Sequence, residues 1–140
     1  MNVTFFTVTT TAHKKECISA IAREYALKGK NLQFIVEDDN VAKFVDQLLW
    51  SFPAESFLPH TLKKVPSIEK IAIFTKNDPK WPKAETTFNL LSAPLENESG
   101  DVLELLDKTD AAKEAASQSK LQHYKNAGIE VRHVSWSSIT

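Results

Sequence analysis

The side chains of this 140-residue chain that could do chemistry are two adjacent carboxylates, four histidines, one cysteine and a serine in a proline-rich segment. Asp38 and Asp39 follow the apolar run Leu32 to Val36. If that run is a strand, the pair sits at its carboxyl end, where open α/β sheets place active sites. Two carboxylates there could hold a hard cation such as Mg²⁺. The same pair fits a helix N-cap, where a carboxylate accepts from unpaired backbone N–H groups and meets the positive end of the dipole. His13, His60, His123 and His133 make no HxH or HExxH spacing, and one cysteine cannot complete a zinc quartet. His60, in a proline-rich turn, suits a hydrogen bond to its own loop. Ser56 lies in Glu-Ser-Phe without the flanking glycines of a nucleophile elbow. Cys17 falls on the apolar face of a helical pattern and reads as core rather than as a reactive thiol. It can form no internal disulfide, and no CxxC pair exists. The turn Thr9-Thr10-Thr11-Ala12-His13 has no glycine, so the backbone cannot approach a pyrophosphate closely. The expectation is a protein without catalytic, cofactor-binding or metal-binding residues.

Elements that would position these residues alternate along the chain. Val3 to Thr9, β-branched and aromatic, reads as a strand. Thr11 could cap a helix in which Cys17, Ile18, Ile21, Ala22, Tyr25 and Ala26 recur at helical spacing, closed by Gly29. Leu32 to Val36 is nearly continuously apolar, as in a strand covered on both faces. Asp38 or Asp39 would cap a second helix carrying Val41, Phe44, Val45, Leu48 and Leu49, stopped by Pro53. Ile71 to Phe74, Thr86 to Leu91 and Val102 to Leu106 read as further strands. Thr109 begins an alanine-rich helix through Asn126, ended by Gly128, and Ile129 to Trp136 alternates as a last strand. The order predicts an α/β, Rossmann-like three-layer sandwich: a mostly parallel central sheet with helices on both faces, one domain over 1–140.

Composition narrows the function classes. A net charge of −1 disfavours a general nucleic-acid binder. The charge is uneven: Lys63 to Lys83 is rich in lysine, and Leu95 to Asp110 carries six acids against Lys108. Such asymmetry can steer a charged partner, although a solvated mixed surface is its more common meaning. No basic leader precedes the first strand, and no apolar run approaches the ~20 residues of a membrane span. A cytoplasmic protein without membrane contact is expected.

The most distinctive segment is Leu48-Leu49-Trp50-Ser51-Phe52-Pro53-Ala54-Glu55-Ser56-Phe57-Leu58-Pro59-His60. Near the other end, Tyr124-Lys125-Asn126-Ala127-Gly128 is followed by Trp136. Both closely resemble the chi subunit of bacterial DNA polymerase III, which carries Leu-Trp, then Pro-Ala-Glu-Ser-Phe, an aliphatic residue and Pro-His, and later Tyr-basic-any-Ala-Gly. The aromatic first strand and the acidic Glu37-Asp38-Asp39 also match. The region Leu62 to Gly100 diverges.

The resemblance implies a non-catalytic accessory subunit of the clamp-loader assembly, bridging it to the C-terminal tail of the single-stranded-DNA-binding protein. Such a tail is acidic and ends in an apolar residue with a free carboxylate, so it needs an apolar pocket beside cations. Trp50 matches a tryptophan that chi uses for the tail, although on sequence alone it also reads as core. The positions where chi often has Arg and Tyr are here Gln118 and Leu121, so the basic clamp is weakened or shifted. Charge alone nominates Lys120 and Lys125, with Leu121 and Tyr124 as pocket wall and Lys113 in reserve. Phe57 matches a phenylalanine that chi turns towards the psi subunit and an alternative helicase partner, and Phe57, Leu58 and Pro59 would form that patch. Two other readings remain open. A nucleotide- or metal-dependent enzyme would be stabilised by nucleotide or Mg²⁺. A direct single-strand binder would show steep salt dependence on naked DNA.

Overall fold

Six short, largely apolar runs pair side by side, all in parallel. A computed structural model describes residues 2–51, 71–77, 85–95 and 100–135. Within them the strands are β1 (Asn2–Val8), β2 (Leu32–Val36), β3 (Ile71–Thr75), β4 (Thr86–Asn89), β5 (Asp101–Asp107) and β6 (Val131–Ser135), and the helices α1 (Thr11–Leu27), α2 (Asp39–Ser51) and α3 (Ala111–Asn126). The strand order is β3-β2-β4-β5-β1-β6, and every neighbouring pair is parallel. The α/β sandwich read from the sequence is therefore observed.

The chain runs from β1 to β2 to β3 in one direction across the sheet, then reverses through β4, β5 and β6. Crossovers of one hand that run in opposite directions lie on opposite faces. Accordingly α1 and α2 share one face. Cys17, Ile18 and Ile21 of α1, with Val45 and Leu49 of α2, join the larger apolar cluster over Phe6, Phe34 and Phe88. Helix α3 covers the other face, where Leu121 and Tyr124 pack with Val3, Phe5 and Val102. Phe34 and Phe88 stack at 5.2 Å between centroids on neighbouring strands, and Phe5 meets Tyr124 edge-on at 6.1 Å. Cys17 is buried in the larger cluster, and burial pushes its thiol up to about 12, which keeps it protonated.

Local chemistry fixes the helix ends. Thr10, one residue before the expected Thr11, caps α1 by accepting from the His13 N–H at 3.0 Å. Asp38 accepts from the Val41 N–H at 3.0 Å at the start of α2. Asp110, not Thr109, caps α3 through the Lys113 N–H at 2.8 Å. Thr109 instead bonds Asp107. Both Gly29 (φ 66°) and Gly128 (φ 76°) sit in the left-handed region that ends a helix. There Lys30 N–H reaches Tyr25 O and Ile129 N–H reaches Tyr124 O, closing two Schellman turns. Among the described residues no helix is long and apolar enough to cross a membrane.

Candidate partner-docking site

The reversal of direction leaves a cleft at the carboxyl edge of the sheet, where the connections leaving neighbouring strands diverge to opposite faces. The cleft measures about 560 Å³ and is lined mostly by carbon. Its floor is Leu90 after β4 and Leu105 on β5; its walls are Ile18 of α1, Val41 and Phe44 of α2, and Ala116 of α3. All three helices turn their first turns towards it. Phe44 is 40% exposed, an unusual position for a phenylalanine on an otherwise buried helix face. The wall after β4 is held in place. Asn89 accepts from the Leu91 N–H at 3.0 Å and donates to the Ala93 carbonyl at 2.9 Å. Glu37, at the end of β2, accepts from both the N–H and the hydroxyl of Ser92. These bonds and Lys76 hold the Glu37 carboxyl below the usual range.

Lys14, Lys15, Lys113 and Lys120 line the cleft, against the carboxylates Glu37 and Asp107. Two of the four cations have strong partners. Lys14 pairs with Asp107 at 2.8 Å. Burial raises the Asp107 pKa, but Lys14 and Thr109 more than offset it and hold the carboxyl below its usual range. Lys120 pairs with Glu104 at 2.7 Å and also donates to the Leu91 carbonyl at 2.9 Å. Lys113 makes only a 3.8 Å contact with Asp110, exposed on both sides, a kind of pair worth little. Lys15 has no ion pair among the described residues; its ammonium lies 5.9 Å from the centre of the Phe44 ring.

Beneath α3 lies a polar cluster that the sequence did not disclose. Glu104 stands in the middle of β5, fully buried. It accepts from Lys120 at 2.7 Å, from the Tyr124 hydroxyl at 2.6 Å and from Asn89 at 2.7 Å. The Tyr124 hydroxyl in turn accepts from the Leu95 N–H at 2.9 Å. Burial raises the Glu104 pKa against the pull of these donors, and burial together with the Glu104 carboxylate raises that of Tyr124. Glu104 counted as one more charge in the acidic run Leu95 to Asp110; in the fold it is an interior anion. The only sequence signal was an acid at the centre of an apolar strand pattern.

The residues nominated for tail binding are placed as follows. Lys120, Leu121 and Tyr124 are 5%, 8% and 0% exposed, so they anchor α3 to the sheet, and the Lys120 ammonium is already neutralised. Lys125 and Gln118 are exposed on the same helix. Trp50 lies in the last turn of α2, a helix on the opposite face from α3. Phe57, Leu58 and Pro59, with His60, Trp81 and Trp136, lie outside the described residues. Asp38 serves as a helix cap, and among the described residues no group of three or more His, Cys, Asp or Glu could hold a metal. Sequence reasoning missed Lys14, Lys15 and Asp107. Their signal was position: they sit just beyond, or at, the carboxyl ends of β1 and β5, at the edge where ligands of such sheets gather.

The family described as DNA polymerase III chi subunit, HolC, matches residues 1–132. The chain belongs to the chi family. It is also similar to the DNA polymerase III subunit chi of Escherichia coli (strain K12), with 40% identity over 48 residues, 34% of this chain and 33% of that protein. The matched stretch thus spans about a third of that relative's length. Family membership places this chi chain among the proteins of DNA replication, and the carboxyl-edge cleft and the exposed end of α3 become candidate surfaces for its partners.

Proposed function

We propose that this protein is a non-catalytic accessory subunit of the DNA polymerase III holoenzyme. In this reading it bridges the clamp-loader assembly to DNA coated by single-stranded-DNA-binding protein, by holding that protein's acidic C-terminal tail. The observation that carries the proposal is the chi-family match over residues 1–132. Supporting it, the turn between β1 and α1 lacks the glycines of a phosphate loop, and the net charge of −1 suits a protein adaptor better than a DNA binder. Trp50, Lys120, Leu121, Tyr124 and Lys125 are the proposed tail-binding set. Within it, Lys120 and Tyr124 act by fixing α3 through Glu104, and Lys125 offers a solvent-facing charge. Phe57, Leu58 and Pro59 are the proposed second surface, for a psi subunit, another clamp-loader protein or a helicase. Two weak contacts joined in one molecule gain effective concentration, so neither needs high affinity. The protein would work in the cytoplasm.

Affinity capture from the source cell tests this. Tagged protein should retain both clamp-loader subunits and single-stranded-DNA-binding protein, and the tail peptide alone should bind at roughly 10⁻⁶ to 10⁻⁴ M, as suits a small contact. Capture of neither, or sub-micromolar binding of a bare oligonucleotide at physiological salt, would sink the adaptor reading.

A further inference from the structure

We infer that the outer strand β6 pairs antiparallel with β6 of a second copy of this chain, in a register centred on Val131, so that two sheets join across a twofold axis. The inference does not depend on the adaptor reading. Three observations carry it.

The two outer strands of the sheet are β3 and β6, and they differ. Ile71, Ala72, Ile73 and Phe74 of β3 are at most 1% exposed. On β6, Arg132 and His133 are exposed, and Val131 and Val134 are half-buried. An uncovered outer strand presents unpaired N–H and C=O groups, on which another strand can form. The Val3 N–H donates to the Glu130 carbonyl at 3.3 Å, so Glu130, and by alternation Arg132 and Val134, turn their main-chain groups to β1. The N–H and carbonyl of Val131 and His133 therefore point outward, and among the described residues nothing pairs with them.

Charge then selects the register. Glu130 and Arg132 are both exposed, and neither has an ion pair among the described residues. They flank Val131. With Val131 opposite the partner's Val131, Glu130 lies opposite the partner's Arg132, and Arg132 opposite the partner's Glu130. Opposite charges directly across an antiparallel pair stabilise it, and like charges destabilise it. The next register, with Val131 opposite the partner's His133, sets Arg132 against the partner's Arg132. The same two charges thus favour this chain's own strand in one register and oppose the next.

The other face of the junction is apolar. Ile129 and Val131 pack against the cluster that holds Phe5 and Tyr124 under α3, whereas Val134 packs on the opposite face. Side chains alternate along a strand, so Glu130 and Arg132 lie on the α1 and α2 side of the sheet. Across the axis Val131 meets the partner's Val131, beside Ile129 and the partner's Ile129, and apolar surface continues from one copy into the other. Such a self-complementary pairing closes on a dimer. Every other surface of the protein is then present twice, which gives low-affinity partners the gain of tethering.

The test is sedimentation equilibrium of the full-length protein at rising concentration. The dimer should dissociate at roughly 10⁻⁵ to 10⁻⁴ M, as suits an interface below the standard size. Glu130→Arg and Arg132→Glu, each alone, set like charges against one another and should weaken the dimer about tenfold. Combined in one chain they exchange the charges and should restore near wild-type association. Thermal melts establish that each variant is folded. Oxidised Val131→Cys should give a covalent dimer, because Cα atoms of a hydrogen-bonded antiparallel pair lie about 5.5 Å apart, within reach of a disulfide. Cys17 is buried and should not compete. A wild-type protein that stays monomeric at about 1 mM would overturn the inference. So would a dimer that ignores both single reversals, or a double variant no better than either single one. Pairing of β6 with a strand of another protein, by a chain that remains monomeric, would overturn it as well.

Discussion

At the scale of single residues, the Glu104–Lys120 pair is the most consequential contact. Burying two charges costs several kcal/mol each, and their attraction repays that only when the remaining hydrogen-bonding capacity is met. Here Tyr124, Asn89 and the Leu91 carbonyl meet it. Glu104→Gln should destabilise by about 3–5 kcal/mol in urea melts, because it leaves a buried ammonium without a counter-ion. Lys120→Met should do the same, and the double variant should lose clearly less than the sum of the two. Additive losses would mean that the two groups do not interact. Asp107 gives a pH signature of definite sign. Its folded pKa is lowered, so its stabilisation is fully present above the ordinary carboxylate value and is lost as pH falls through the lower folded value. Wild-type protein and Asp107→Asn should therefore differ most near neutral pH, and the gap should close below about pH 4, the ordinary range of an aspartate. A gap that widens on acidification would contradict the Lys14 pairing.

Helix α3 shows how local and tertiary forces divide within one element. Its apolar periodicity is weak, since most of its residues are alanine, serine, glutamine and lysine. Caps at both ends define it, and one polar cluster and a few apolar contacts hold it down. Asp110→Ala should cost about 1 kcal/mol through loss of the bond to the Lys113 N–H. Gly128→Ala should cost about 1–2 kcal/mol for a different reason. A Cβ there would meet nothing within 4 Å, so the loss is backbone strain at φ 76° rather than a clash. Thermal melts of both variants read these values directly. Equal stability of Gly128→Ala and wild type would mean that the Schellman turn is not held in solution.

For the whole molecule, the sheet reversal matters most, because it puts helices on both faces and opens a cleft between their first turns. In the tail-binding reading, a tail held by a solvent-facing lysine such as Lys125 should lose affinity as salt rises, since screening acts on surface charges over about 10 Å at 0.1 M. If the proposed Phe57 surface is separate from the tail site, Phe57→Ala should abolish capture of the clamp-loader partner and leave tail-peptide binding unchanged, because sites that share no contacts behave additively. If Phe57 is instead core, the variant should lose roughly 3–5 kcal/mol of stability and weaken both partners together. One denaturation curve and two binding assays separate these outcomes.

The sequence by itself determined the elements and their class. Leu32 to Val36 shows by its unbroken apolar run that both its faces are covered, and the strand is buried throughout. Cys17, Ile18, Ile21 and Ala22 mark the buried face of α1 by spacing alone. Gly29 and Gly128 mark helix ends because only a residue without a Cβ enters the left-handed region freely. These are local rules, satisfied by a few neighbours in the chain, and the motif resemblance likewise lies along the chain. Tertiary structure alone decided which charges are buried and which face a cleft. Lys113, Lys120 and Lys125 look equivalent in sequence, yet Lys120 faces Glu104 across 2.7 Å while Lys113 opens onto the cleft and Lys125 onto solvent. Likewise Lys14 finds Asp107 only because β5 lies beside β1. The strand order decided this, and it is set by long-range packing that no short window of sequence contains.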